Sequence, residues 1–465
     1  MAHHAQRGEG RVDSIFAAAT PPGRGGVAVI RLSGPEARAI AGRLTGALPP
    51  PRQAQLRAFR DPAGGEVLDR GIVLLFPAPA SYTGEDVVEL QGHGGPAVVR
   101  SLLDALRRAG GRLAQPGEFT ERAFLNGRMD LSQAEGVAAL IEADSEAARR
   151  AAMRSVEGAF GQRVAELGAA LADRRARLEA GLDFPDEEEP AEAGQAALAD
   201  DLDRLREQLG EIRARAGAGW RLSQGQRVAL VGPPNAGKSS LLNALTESEA
   251  AIVAATPGTT RDVIRETARV AGQALELLDT AGLRPAAEQE EVEREGARRA
   301  RASAEGADAL LLVVEEGAAP GPEAEEMALS RPERPVLLIR NKIDRSGRPP
   351  GLGEEPLGGR PVTAAAVSAH TGAGLEAVRE WLEASLQAAA GAEEPWAARE
   401  RHLEALADAE QALGEARRLA GDGEALEDLV ADALRRAQQR LGAITGAVSS
   451  EDLLDRIFSS FCIGK

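Results

Sequence analysis

Of the 55 basic residues in this 465-residue chain only three are lysines: Lys238, Lys342 and Lys465. Arginine replaces lysine without penalty on a solvated surface, but not where a compact ammonium is needed. The three remaining lysines therefore mark candidate chemistry. Lys238 lies in Gly232-Pro-Pro-Asn-Ala-Gly237-Lys238-Ser239. In this spacing backbone amides cradle phosphates, the lysine reaches the β- and γ-phosphates, and the Ser239 hydroxyl ligates Mg²⁺. Lys342 lies in Asn341-Lys342-Ile343-Asp344. The Asp344 carboxylate can accept from N1–H and N2–H₂ of guanine, where adenine offers an acceptor and a C–H. Such bonds discriminate by about 10⁴-fold.

Further segments complete a guanine-nucleotide set in chain order. Thr259 and Thr260, in Gly258-Thr-Thr-Arg-Asp262, are both candidates for a switch threonine closing on Mg²⁺. Asp279-Thr280-Ala281-Gly282 ends an apolar run, a place suited to the Mg²⁺ environment and to sensing the γ-phosphate. Ser368-Ala369, followed by His370, supplies the last base contact. Leu283 follows the Asp279–Gly282 motif where small signalling GTPases carry a water-orienting glutamine, and leucine cannot hydrogen-bond. Orientation of the attacking water and transition-state charge must come from elsewhere.

These residues need a frame. Strands over 227–232, 274–279, 309–314 and 335–340, alternating with helices and closed by a helix over 374–386, predict a doubly wound α/β domain with a parallel sheet. Upstream, residues 26–32 and 71–76 predict strands and 98–108 a helix, giving a small α+β domain. From about Met129 the texture turns helical, with Val164, Leu167, Leu171, Leu178 and Leu182 on one face until the stretch Asp183–Pro190. Helical texture returns after residue 390, so the α/β domain is expected as an insertion into one helical domain. The expected boundaries are 1–128, 129–223, 224–388 and 389–465.

Composition excludes several classes. The length exceeds one hydrophobic core, and 43% hydrophobic with 27% charged residues is globular. No apolar run approaches a membrane span, the polar first residues argue against secretion, and the single cysteine, Cys462, fits a reducing cytoplasm. A net charge of −17 argues against a generally basic nucleic-acid binder, although residues 1–128 carry sixteen arginines, no lysine and twelve acids. Nothing resembles zinc-ligand spacing. Cys462, between Phe461 and Ile463 and with no flanking histidine, is expected as a buried small hydrophobe rather than a nucleophile.

Outside the nucleotide motifs the chain resembles the bacterial tRNA modification GTPase MnmE (TrmE) family over essentially its whole length. The matching segments are Ala19-Thr-Pro-Pro-Gly-Arg-Gly-Gly26, Ser81-Tyr-Thr-Gly-Glu-Asp-Val-Val-Glu-Leu-Gln-Gly-His-Gly-Gly95, Pro116-Gly-Glu-Phe-Thr-Glu-Arg-Ala-Phe-Leu-Asn126 and Phe461-Cys-Ile-Gly-Lys465. The resemblance implies a folate-binding N-terminal domain that dimerises, a helical domain from two chain segments and an inserted P-loop G domain. It implies a K⁺-dependent GTPase that works with the flavoprotein MnmG (GidA), in a heterotetramer-type complex. Together they add a carboxymethylaminomethyl group to C5 of the wobble uridine (position 34) of certain tRNAs. The one-carbon donor is a tetrahydrofolate, in its 5,10-methylene or 5-formyl form.

Residue by residue, the resemblance gives nucleotide contacts at Asn235, Ala236, Gly237, Lys238, Ser239 and Ser240. It continues them through Ala254, Ala255, Thr256, Pro257, Gly258, Thr259 and Thr260, and through Asp279 to Gly282, Asn341, Lys342, Asp344, Ser368, Ala369 and His370. Mg²⁺ falls to Ser239 and Thr260, and K⁺ to Asn235, Ala254, Thr256 and Thr259, two of these through backbone carbonyls. The water-orienting glutamate is Glu293, in Glu291-Val-Glu-Arg-Glu-Gly296, at an expanded spacing. Folate contacts fall on Arg31, Glu89, Arg128 and Lys465. Glu89 suits the two-donor edge of a pterin, and the arginines suit the anionic tail. The rival expectation is a regulatory GTPase acting in ribosome assembly without modification chemistry, which leaves the N-terminal segments and the tail unexplained.

Overall fold

The computed structural model describes residues 13–143, 145–183, 191–224, 226–233, 235–246, 265–270, 273–279, 307–331, 333–390, 394–421 and 427–464. Contacts group the chain into two units: Met1–Ala138 with Ser155–Arg206 and Ala405–Lys465, and Ala139–Arg154 with Glu207–Glu404.

In the first unit, β1 (Ile15–Ala18), β2 (Gly25–Ser33), β3 (Gln55–Arg60), β4 (Val67–Phe76), β5 (Val87–Gly94) and β6 (Arg112–Leu113) form one sheet in the order β3-β4-β5-β2-β1-β6. Side chains alternate between its faces. Ile30 and Leu32 of β2, Val88 and Leu90 of β5, and Val73 and Leu75 of β4 are buried with residues of helices α1 (Ala37–Thr45) and α2 (Pro96–Arg108). The intervening residues take the other face, and there Arg31 and Glu89 stand opposite one another. Strand β4 begins earlier than its apolar run because polar Asp69 and Arg70 continue the pairing with β3.

On this second face Phe119, from α3 (Glu118–Leu125), clusters with Ile15, Ala17, Ala114 and Tyr82. Among the described residues the chain continues with α4 (Leu131–Glu142), α5 (Glu146–Val156), α6 (Ala159–Asp183) and α7 (Ala191–Gln224), of which residues 139–154 and 207–224 fall in the second unit. The break at residues 184–190 expected from sequence lies outside the described residues.

The second unit holds β7 (Gln226–Val231), α8 (Lys238–Thr246), β8 (Arg265–Val270), β9 (Gln273–Asp279), β10 (Ala309–Glu315), α9 (Pro322–Leu329), β11 (Val336–Asn341), β12 (Gly351–Leu357), β13 (Arg360–Ala366) and α10 (Leu375–Ala390). The sheet order is β12-β13-β11-β10-β7-β9-β8. Five strands are parallel, but β8 and β12 pair antiparallel at the two edges. The expectation of a parallel sheet therefore holds for its centre and not for its rims. Residues Leu310–Val314 of β10 are fully buried, as a central strand covered on both faces must be. The β12–β13 hairpin turns on Gly358 and Gly359, with φ of 54° and 80°, values that favour glycine.

Helices α11 (Glu400–Leu419), α12 (Glu427–Thr445) and α13 (Glu451–Phe458) follow. Helix α12 packs along α6, burying Val430, Leu434, Ala437 and Leu441 of one and Val164, Leu167, Leu171 and Leu178 of the other. Before α11, Trp396 is buried in the second unit, with the Arg215 guanidinium 3.9 Å above its ring. A Cβ on Gly219 would lie 1.7 Å from Trp396 O, so glycine is required at that crossing.

Helix α13 and the residues after it return to the N-terminal domain. Phe458 lies 6.3 Å from Phe124 and 5.4 Å from Phe461. Ile463 forms a β-bridge with Pro116, and Gly117 N donates to Cys462 O. A Cβ on Gly464 would meet Ala18 O at 2.4 Å, so the tail runs against the end of β1. Cys462 is exposed, which corrects the expectation of a buried hydrophobe. Phe461 takes the buried place, and the bridge then leaves its neighbour in solvent.

Gly117 and Gly127 share a φ of +68°, but a Cβ on Gly117 would meet Phe458 O at 2.5 Å, whereas one on Gly127 meets nothing within 4 Å. Gly127→Ala is expected to cost only the left-handed backbone penalty of about 1–2 kcal/mol. Gly117→Ala is expected to cost about twice that, because α13 must also move. Thermal unfolding of the two full-length variants checks this, and equal shifts in melting temperature contradict the packing.

Candidate functional site

Strand β7 sits where the sheet order reverses, with β10 on one side and β9 on the other. This switch point is where open α/β sheets bind ligands, at the carboxyl ends of the strands. The described motifs leave from those ends. The phosphate loop follows Val231 of β7, Asp279 ends β9 opposite Leu230, Asn341 ends β11 opposite Glu315, and Ser368 follows β13.

The phosphate loop is shaped by close approaches. Gly232 has φ +154°, and a Cβ there would lie 2.0 Å from Val313 O. Gly237 has φ +90°, and a Cβ would lie 2.3 Å from Asn341 Nδ2. Asn235 takes φ 60°, a left-handed conformation that asparagine tolerates. Lys238, 5% exposed, opens α8 and its Nζ donates to Gly232 O at 2.8 Å and Pro233 O at 2.9 Å. An ammonium folded into its own loop beside a helix N-terminus, with Ser239 next on that helix, fits phosphate and Mg²⁺.

Asn341 joins the phosphate loop to the base-reading loops. Its Nδ2 donates to Ala236 O at 2.9 Å, and its Oδ1 accepts from Lys342 N at 2.8 Å and Ala369 N at 3.1 Å. The residue is 2% exposed, so this amide is an internal strut. Ser368 Oγ donates to Asp344 Oδ1 at 2.6 Å and holds that carboxyl below the ordinary aspartate range. Lys342, at φ 69°, extends its Nζ to Glu315 Oε2 at 2.9 Å, and Arg345 pairs with the same carboxylate. Sequence reasoning missed Glu315, because a lone acid at a strand end carries no motif.

Ala254 to Gly258, Thr259, Thr260, Thr280 to Gly282 and Glu293 lie outside the described residues, as does the side chain of Asp279. The same holds for Lys465 in the first unit.

In that first unit the structure brings Arg31 and Glu89 together. Arg31 Nε and Nη2 both donate to Glu89 Oε1, at 3.1 and 3.0 Å, and Gln91 Nε2 reaches Glu89 Oε2 at 3.4 Å. The Arg31 guanidinium lies 5.2 Å from the centre of the Tyr82 ring and 5.9 Å from that of Phe119. Tyr82 exchanges a hydrogen bond with Thr120 at 2.8 Å, and burial pushes its phenol up. Arg128 lies beside the Gly84 turn, where a Cβ would meet its Cγ at 3.2 Å. Arg31 is thus already matched by a carboxylate, whereas the sequence reading kept the two for different parts of one ligand. Tyr82 and Phe119 were missed because an aromatic residue in a loop or helix gives no sign of stacking on a distant strand.

Replacing Asp344 by asparagine exchanges an acceptor for a donor at one carboxyl position. Asp344→Asn is expected to weaken GTP by about 10³–10⁴-fold and to favour xanthosine triphosphate, whose C2 carbonyl accepts where guanine donates. Competition binding with the two nucleotides checks this. Because Asp344 is held low, its contribution is fully present at neutral pH and is lost only as pH falls below the ordinary carboxylate range.

Residues 14–128 match the GTP-binding protein TrmE N-terminus family, and residues 131–462 match the MnmE helical domain family. The tRNA modification GTPase MnmE of Halorhodospira halophila is 58% identical, covering 97% of this chain and 96% of its own length. Those of Alkalilimnicola ehrlichii and Pseudomonas syringae pv. tomato are 51% and 49% identical, each covering 97% of this chain and 99% of their own length. A solved structure of Aquifex aeolicus Era bound to GDP.AlF4- covers 40% of this chain and 66% of its own at 26% identity, with a TM-score of 0.25. Matched along nearly its whole length, with a nucleotide site and an N-terminal domain to correspond, the chain belongs to the tRNA modification GTPase MnmE family.

Proposed function

We propose that the chain is a K⁺-dependent GTPase that works with the flavoprotein MnmG (GidA). Together they add a carboxymethylaminomethyl group to C5 of the wobble uridine of certain tRNAs, drawing the carbon from a tetrahydrofolate. The observation that carries this reading is the near-complete match to relatives named tRNA modification GTPase MnmE. The proposal divides the chain into 1–128 for folate binding and dimerisation, 129–223 and 389–465 for one helical domain, and 224–388 for the G domain. It places the protein in the cytoplasm as a homodimer. Among the described residues no helix is long and apolar enough to cross a membrane. Nucleoside mass spectrometry of tRNA from a strain lacking the gene tests the whole reading: an unchanged wobble uridine profile refutes it.

For hydrolysis, the residues in view bind and orient. Lys238 and the loop amides hold the phosphates, Ser239 offers a hydroxyl to Mg²⁺, and Asp344, placed by Ser368, reads the base. Asn235, in its left-handed turn on the same loop, is exposed and sized to offer a carbonyl oxygen to K⁺ beside the phosphates. Bound there, K⁺ supplies the positive charge that an arginine finger supplies in other GTPases. Glu293 orients the attacking water in place of the missing glutamine. GTPase rates in KCl are expected to exceed those in NaCl at equal ionic strength, and Asn235→Ala to lose that difference. Glu293→Ala is expected to lower kcat strongly with GTP affinity nearly intact. Equal rates in the two salts refute the K⁺ proposal.

The Arg31–Glu89 pair fits the amino-terminal ligand. Glu89 Oε2 faces Gln91 and can take a two-donor ring edge, while Tyr82 offers an aromatic wall. The tail segment that bridges Pro116 and packs on Ala18 supports a contribution from Lys465, with Arg128 from the turn at Gly84. Calorimetry with 5-formyltetrahydrofolate is expected to show binding weakened at least about tenfold by Glu89→Gln and by removal of Lys465, with GTPase activity unchanged. Wild-type affinity in both variants contradicts the assignment.

A further inference from the structure

The base-reading loop is fastened to the strand beside it by two consecutive carboxylates. Glu315 ends β10 and stands in register with Asn341, the last residue of β11. Glu316 follows, and its amide donates to Asn341 O at 2.8 Å. The chain turns sharply after Asn341, with Lys342 at φ 69° and a 3₁₀ turn over Ile343–Arg345. That turn carries the cations of the loop back to the end of β10. Glu315 Oε2 accepts from Lys342 Nζ at 2.9 Å, and Glu315 Oε1 accepts from Arg345 Nη1 at 2.6 Å. Both carboxylate oxygens of Glu316 accept from Arg348 Nη1, each at 3.2 Å. Two neighbouring acids thus hold three cations of the loop 342–348.

The same loop carries Asp344. A carboxylate that recognises guanine through N1–H and N2–H₂ must keep its acceptors open to those donors. An arginine is the strongest competitor for them, because its planar fork matches two carboxylate oxygens. Arg345 is the next residue in the chain. After the larger effect of the Ser368 bond, its charge helps to hold the Asp344 carboxyl below the ordinary aspartate range. The Arg345 guanidinium nevertheless goes to Glu315, and the Lys342 ammonium goes to the other oxygen of that carboxylate. One acid therefore engages the cations on either side of Asp344. We infer that Glu315 is a specificity-determining positioning residue: by engaging Arg345 and Lys342 it keeps the Asp344 carboxylate open to the two donors of guanine. The inference rests on the reading of Asp344 as the base-recognising residue.

The test measures competition binding of GDP and IDP to the full-length protein. IDP lacks the 2-amino group and so asks less of the carboxylate. Glu315→Gln keeps the shape of the side chain and removes its charge. It is expected to weaken GDP about threefold to fivefold, the size of a part-exposed ion pair, and IDP less than about twofold. Adding Arg345→Gln to Glu315→Gln is expected to restore most of the lost GDP affinity, because the competitor is gone. A merely structural role for Glu315 gives equal losses for the two nucleotides and no restoration. Asp344→Asn is the control for the underlying reading and is expected to weaken GDP. If it does, but Glu315→Gln binds GDP as wild type, loses both nucleotides equally, or is not restored by Arg345→Gln, the role of Glu315 is refuted and the base-reading assignment stands. If Asp344→Asn binds GDP as tightly as wild type, the assignment and this inference fall together.

Discussion

One buried amide organises the nucleotide site. Asn341 ties the phosphate loop, its own following residue and the Ser368-Ala369 loop into a single block through three hydrogen bonds. In water each of these loops would satisfy its backbone groups separately. Inside the domain an unpaired amide costs about 1–3 kcal/mol, so each loop holds the others at the spacing that closes all three bonds. Gly237 completes the constraint, since only a residue without Cβ lets the loop come so near Asn341 Nδ2. The spacing between the phosphate loop and the base-reading loops is therefore set by one side chain.

Much of this was legible in the sequence because the motifs sit at strand ends. The apolar run Leu310–Val314 announces a strand buried on both faces, and the glycine spacing before Lys238 announces a loop that needs positive φ. The sheet rims were not legible. Strand β12 contains Gly351, Gly353 and Pro356, which erase the alternation that marks a half-buried strand, and only its pairing with β13 makes it one. Arg31 and Glu89 were found as single positions, but their ion pair comes from cross-strand register, and no local pattern encodes it. Cys462 was misplaced for a similar reason. Its environment is decided by a bridge to Pro116, far away along the chain.

The N-terminal sheet shows how one period-two pattern serves two purposes. Residues on one face make a conventional core with α1 and α2. The other face carries Arg31 and Glu89 at its centre, bounded by Tyr82 and Phe119. A shift of one residue in β2 or β5 would bury that ion pair and expose Ile30 and Leu90, so the register that builds the core also fixes the polar pair.

The bridge between Pro116 and Ile463 also bears on the order of events during synthesis. The N-terminal sheet has its strands and both covering helices within the first stretch of chain, so its contacts are local and can form early. The strip against β1 arrives only after the helical and nucleotide-binding segments have been made. Until then that edge of the young domain stays uncovered. Closing so long a loop adds little more entropy than closing a short one, because the cost grows only with the logarithm of length. The delay is thus one of timing and not of stability. While a ribosome is still working through the G domain, the amino-terminal domain lacks the strip that bridges Pro116 in the finished protein.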